Sequence, residues 1–161
     1  MKKYKRAIIF VNLLLLIVLF NNSIVKKETL LSNGKLILLE LAPVDPRSLM
    51  QGDYMRLRYK ISQNVGYDSI SKRGFCVVKL KPNGVAEKVR LQKEELPLNE
   101  GEYLIEYTSE YFSINIGAES YFFQEGESDK YGKAKYGGIK VDASGNSLLI
   151  GLYDKDLKYI K

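Results

Sequence analysis

From Pro43 to Tyr54 the chain places two carboxylates (Asp45, Asp53), a guanidinium (Arg47), a hydroxyl (Ser48) and a phenol (Tyr54). Side chains of these types can hold a ligand or a partner through charge-assisted hydrogen bonds. They can equally lock a turn. Asp45 precedes Pro46 and Gly52 precedes Asp53, so turn-formers flank the short Arg47–Gln51 link. Asp45 can cap backbone amides, Arg47 can pair with Asp53 or Asp45, and Gly52 supplies positive φ or close backbone approach. From the residues alone, turn lock and binding site both stay open.

A second cluster, Gly117 to Gly126, carries Glu119, Tyr121, Phe122 and Glu125. Glu119 and Glu125 are the kind of carboxylate pair that glycosidase chemistry uses. An acid-rich stretch also supplies such pairs by chance. Asp154-Lys155-Asp156 lacks the glycine and the distal glutamate of a calcium loop. The 161 residues contain no His, which excludes His-based triads, His–metal sites and imidazole switches. The single Cys, Cys76, excludes an internal disulfide, a four-cysteine zinc site and a CxxC pair. It lies between Phe75 and Val77 in an apolar strand and reads as a small buried hydrophobe. No metal and no cofactor is expected.

The elements that must position these residues are mostly strands. Gly34–Ala42 is a near-continuous apolar run of strand length, stopped by Pro43 and Pro46. Tyr54–Ile61 alternates, with Met55, Leu57, Tyr59 and Ile61 on one face and Tyr54, Arg56, Arg58 and Lys60 on the other. Residues 62–72 read as a polar loop in which Val65, Tyr67 and Ile70 can support a short helix. Phe75–Leu80 and Val85–Gln92 form a hairpin about Pro82-Asn83-Gly84, with Val85, Val89 and Leu91 on one side. Glu102–Thr108 alternates again, and Ser113–Phe123 is an aromatic β-like stretch interrupted at Gly117. Glu127–Tyr136 is the best short-helix candidate, with Gly137 past its end. Ile139–Asp142 and Ser147–Tyr153 close the chain as a hairpin. About eight turn-separated strands predict a mainly β fold: a compact barrel or sandwich-like domain with one or two short helices.

Ahead of that domain, residues 1–26 hold Lys2, Lys3, Lys5, Arg6 and Lys26 and no acid, +5 of the net +6. An apolar run follows from Ala7 to Phe20, broken only by Asn12. A helix over residues 4–25 spans about 33 Å, enough for the ~30 Å hydrocarbon core. The segment reads as an uncleaved anchor, a cleaved signal peptide or a buried helix. An all-round apolar face behind four bases disfavours burial, and Asn21-Asn22-Ser23-Ile24-Val25 is a poor cleavage site. No cysteine follows closely enough for a lipoprotein anchor. The bases at the N-terminus outweigh Lys26 and Lys27, which favours the N-terminus inside. The expected organisation is a basic tip and transmembrane anchor over residues 1–26, and an extracytoplasmic β domain over 27–161. Nucleic-acid binding is not expected, because the bases that make the chain basic sit at the membrane. Within the domain the charge is segregated: 47–93 carries 11 bases and 3 acids, 94–129 carries 10 acids and no base, and 130–161 carries 7 bases and 3 acids. Such blocks can neutralise one another across neighbouring strands or orient the domain on a partner.

Gly52-Asp53-Tyr54, two residues, Leu57, one residue, Tyr59, led by Pro43-Val44-Asp45-Pro46-Arg47, resembles the bacterial GDYXXLXY family. Gly117–Gly126 and the closing hairpin around Gly145 and Leu148–Leu152 resemble further family blocks, so the resemblance spans about residues 28–153. It implies a membrane-anchored protein of the bacterial cytoplasmic (inner) membrane, often encoded beside polytopic membrane proteins. It carries over no catalytic residues. Leu49-x-x-Gly52-Asp53 also matches the end of the signal-peptidase and self-cleaving-repressor pattern. There the nucleophile position falls on Val44, Ser48 is the only nearby hydroxyl, and the lysine motif has no counterpart. The expectation is a single-pass accessory or binding subunit of a membrane-protein complex. The alternative is a membrane-anchored hydrolase using a carboxylate pair or a Ser–Lys site.

Overall fold

The structure, a computed structural model, describes residues 2–42, 50–51, 54–63, 70–110 and 113–161. Asp45, Pro46, Arg47, Ser48, Gly52 and Asp53 lie outside the described residues, as does the stretch around Val65 and Tyr67.

Helix α1 runs from Lys2 to Asn33, past the boundary at Val25 expected from hydropathy. No Gly or Pro interrupts Lys26–Asn33, so nothing in the backbone stops the helix earlier. Gly34 ends it, donating its amide to the Leu30 carbonyl at 2.9 Å. The span Tyr4–Asn33 is long and apolar enough to cross a membrane, and its most apolar window is not buried against the rest of the chain. The last turn does touch the domain: Leu30 is buried, and Lys140 Nζ donates to the Ser32 carbonyl.

Among the described residues ten strands follow: β1 (Lys35–Glu40), β2 (Met50–Gln51), β3 (Tyr54–Arg56), β4 (Arg73–Leu80), β5 (Ala86–Gln92), β6 (Glu102–Glu110), β7 (Ser113–Asn115), β8 (Ser120–Phe122), β9 (Tyr136–Val141) and β10 (Ser147–Tyr153). They make three antiparallel sheets in the orders β1-β9-β10, β2-β3-β8 and β5-β4-β6-β7. Single bridges splice the sheets, Leu38 with Val85 and Leu41 with Tyr59. The opposite side is drawn in where the Glu106 amide donates to the Gly145 carbonyl at 2.8 Å and Ser147 Oγ to the Ile116 carbonyl at 2.9 Å. The result is the mainly β fold expected, curled into a half-barrel. Ile37, Leu39, Leu57, Tyr59, Cys76, Ile105 and Ile139 fill its core.

Two local expectations change. The helix α2 covers only Ser128–Tyr131 and is capped by Gly132. Tyr136 and Gly137 belong to β9 instead, where a Cβ at Gly137 would stand 2.8 Å from the Tyr59 ring. Val89, expected to share a face with Val85 and Leu91, is 48% exposed. A register shift lets Val77 pair with Arg90 and Val78 with Lys88, so Val89 falls in a bulge and loses its facing position.

Candidate functional site

The motif strand continues beyond β3 as extended chain and then closes in a 3₁₀ turn over Lys60–Ser62. Its alternation holds throughout: Met55, Leu57, Tyr59 and Ile61 are buried, Tyr54 is half-buried, and Arg56, Arg58 and Lys60 are exposed. Main-chain bonds tie it on both sides. The Leu57 amide donates to the Glu119 carbonyl at 2.7 Å, and the Ala42 amide donates to the Arg58 carbonyl at 2.7 Å. The segment thereby fastens β1 to the chain before β8.

Tyr59 is the deepest part of this fastening. Its ring is fully buried against Gly137, and its hydroxyl donates to the Ala118 carbonyl at 2.6 Å. Burial, reinforced by the nearby Glu119 charge, pushes the phenol well above its ordinary range, so it remains a neutral donor.

The second sequence block lies directly alongside. Strand β8 pairs with β3 in the register Tyr54–Phe122, Met55–Tyr121 and Arg56–Ser120. Gly117, at φ +78°, turns the chain between β7 and β8. Within that turn Glu119 Oε1 accepts the Ile116 amide at 2.6 Å, and Asn115 Oδ1 accepts the Gly117 amide at 2.8 Å. Burial raises the Glu119 carboxyl, while the backbone amides of residues 116–119 oppose that shift. Tyr121 packs edge-on against Tyr131 at 5.1 Å, and burial, aided by hydrogen bonding with Tyr131, raises its phenol. Phe122 is 74% exposed and covers Tyr54, with ring centroids 5.7 Å apart. Glu125 is exposed in the turn after β8, and Gly126 takes φ +87° there. Of the two proposed acid–base carboxylates, then, one is turned onto its own backbone and the other stands in solvent.

Beside the motif strand is a cleft of about 380 Å³ lined by Arg56, Arg58, Ser62, Gln63, Asn115 and Glu119, among others. Ser62 is 8% exposed, and its Oγ has no hydrogen-bond partner among the described residues. An unsatisfied buried hydroxyl costs about 1–3 kcal/mol. Ser62 escaped the sequence reading because nothing in a polar stretch marks one serine for burial. A larger open groove of about 1220 Å³ separates the end of α1 from β6 and the β9–β10 turn, with Lys26, Lys27, Glu106 and Asp142 on its walls. Among the described residues no group of three acidic or cysteine side chains is placed to hold a metal ion.

A profile of the GDYXXLXY protein family matches residues 16–152. The chain belongs to the GDYXXLXY family. No curated protein and no solved structure matches it. In the GDYXXLXY string the fixed Leu57 and Tyr59 are both core residues, 2% and 0% exposed. The open positions between them and before them include Arg56 and Arg58, which point outward. The structure brings Tyr54, Leu57 and Tyr59 together with Glu119, Tyr121 and Phe122. That adjacency is tertiary, since about sixty residues separate the two GDYXXLXY blocks along the chain.

Proposed function

We infer that this chain is a membrane-anchored accessory or binding subunit of a bacterial membrane-protein complex, with its β domain outside the cytoplasm. The observation that carries this reading is α1, a single helix that leads from an unburied apolar span into contact with the β domain at Leu30 and Ser32. The 30 residues from Tyr4 to Asn33 measure about 45 Å as helix, against ~30 Å of hydrocarbon. The surplus of about ten residues leaves a stem between bilayer and domain, with Lys26 and Lys27 at headgroup depth. Lys2, Lys3, Lys5 and Arg6 favour the opposite end inside. A stem that holds a domain close to the bilayer suits a subunit that works on a neighbour in the same membrane. The partner is then a polytopic membrane protein.

The test replaces Phe122, the exposed aromatic on β8, with a photo-crosslinking residue in cells, and Lys155 as a control. The expected result is a crosslink from position 122 to a polytopic membrane protein, with no turnover by the purified full chain in detergent against fluorophosphonate and broad hydrolase substrates. Turnover that disappears on replacing Ser48 or Glu125, with no membrane crosslink, overturns this reading in favour of a membrane-anchored hydrolase.

A further inference from the structure

The cleft beside the motif strand has a chemistry that the accessory role does not use. Arg56 and Arg58 lie two residues apart on the outer face of one extended segment, so their Cα atoms stand about 6.6 Å apart. Both side chains are exposed, and neither makes an ion pair among the described residues. Lys60, the next residue on that face, is neutralised by Glu40 at 2.8 Å. Lys88 Nζ donates to the carbonyl of Gln63, one of the lining residues, at 3.3 Å. Asn115 turns its carbonyl oxygen onto Gly117 and so keeps its NH₂ as a donor. Among the described residues Glu119 is the only acid lining the cleft, and its Oε1 is engaged by the Ile116 amide. Ser62 supplies a buried hydroxyl that no group among the described residues satisfies. The wall is therefore rich in donors, net cationic, and one acceptor short.

We propose that this cleft binds a phosphate group, gripped by Arg56 and Arg58 with the Ser62 hydroxyl as the inner donor. Two guanidinium forks offer more N–H groups than one carboxylate can accept, whereas a phosphate presents enough oxygens for both. A rotation of the Ser62 side chain about χ1 satisfies its hydroxyl when the phosphate enters. The phosphate can be a soluble phosphoryl compound or the headgroup of an anionic lipid. The site is independent of the membrane-protein partner proposed above, so either can fail without the other.

The experiment titrates the full chain, in neutral detergent micelles, with inorganic phosphate at constant ionic strength by calorimetry. A second arm dopes the micelles with phosphatidylglycerol or, as a control, phosphatidylcholine. Saturable binding of one phosphate is expected, weakened about tenfold or more by Arg56→Ala and by Arg58→Ala. Ser62→Ala should weaken binding severalfold without lowering the melting temperature. Circular dichroism of each variant separates lost binding from lost folding, and both arginines are exposed, so the core is untouched. A response to phosphatidylglycerol alone, lost in the arginine variants, assigns the phosphate to a headgroup. No response in either arm, undiminished binding in the arginine variants, or undiminished binding in Ser62→Ala overturns the proposal.

Discussion

Tyr59 concentrates several constraints in one side chain. A fully buried ring takes the space that a side chain at Gly137 would fill, and its hydroxyl reaches the Ala118 carbonyl in the turn before β8. Tyr59→Phe keeps the ring and removes the donor, leaving a buried carbonyl without its partner. The expected loss is about 1 kcal/mol in urea unfolding. An unchanged midpoint would show that the bond contributes nothing net. Leu57 and Tyr59 were legible as core positions because period-2 alternation is a local property of the chain. Ser62 was not legible, because a hydroxyl becomes an orphan only when packing closes over it. Asp45, Arg47 and Asp53 lie outside the described residues.

At the scale of elements, the four-stranded sheet is pinned by a clamp that spans β4. Arg90 on β5 makes a two-pronged ion pair with Glu102 on β6, at 2.7 and 2.8 Å, and its second nitrogen also reaches the Pro97 carbonyl. Asn99 adds its backbone amide to Glu102 at 2.9 Å. Hydrogen bonding from Arg90 first, and from Asn99 next, holds the Glu102 carboxyl at about 2, below its ordinary 4.5. A carboxyl depressed in the folded state stabilises that state fully above its unfolded pKa. This stabilisation is lost as pH falls from about 4.5 toward 2. Arg90→Ala should therefore lower the melting temperature at pH 7 and flatten its dependence between pH 4.5 and 2. An acid limb as steep as that of the unaltered chain would rule the clamp out as its source. The charge blocks in the sequence anticipated attraction between a basic and an acidic segment, and this pair joins them. The two hairpins also followed from alternation and turn residues, whereas the described residues hold ten strands where about eight were expected. The bulge at Val89 did not, since register slips depend on the partner strand.

At the scale of the molecule, one long helix and a curled β domain raise a question of sidedness that a single labelled position answers. Cys76 is buried, and burial pushes its thiol up to about 12, so it should be silent toward maleimide in the folded chain. Lys155→Cys, in the exposed turn after β10, introduces a reactive thiol without touching the core. A membrane-impermeant maleimide should label that variant in intact spheroplasts, while the parent chain stays unlabelled. Labelling only after lysis would place the domain inside and refute the topology proposed above.

The sequence by itself determined the apolar span, the β class, the buried face of the motif strand and the family. Each of these is written in local order: hydropathy over a helix length, alternation over a strand, turn residues between strands, and a contiguous motif string. Tertiary structure alone decided that β3 lies against β8, that α1 continues to Asn33 and lays Leu30 on the domain, and that Arg56, Arg58 and Ser62 border one cleft. Those outcomes depend on which distant segments share hydrogen bonds and what space remains between them. No residue carries that information before the chain closes on itself.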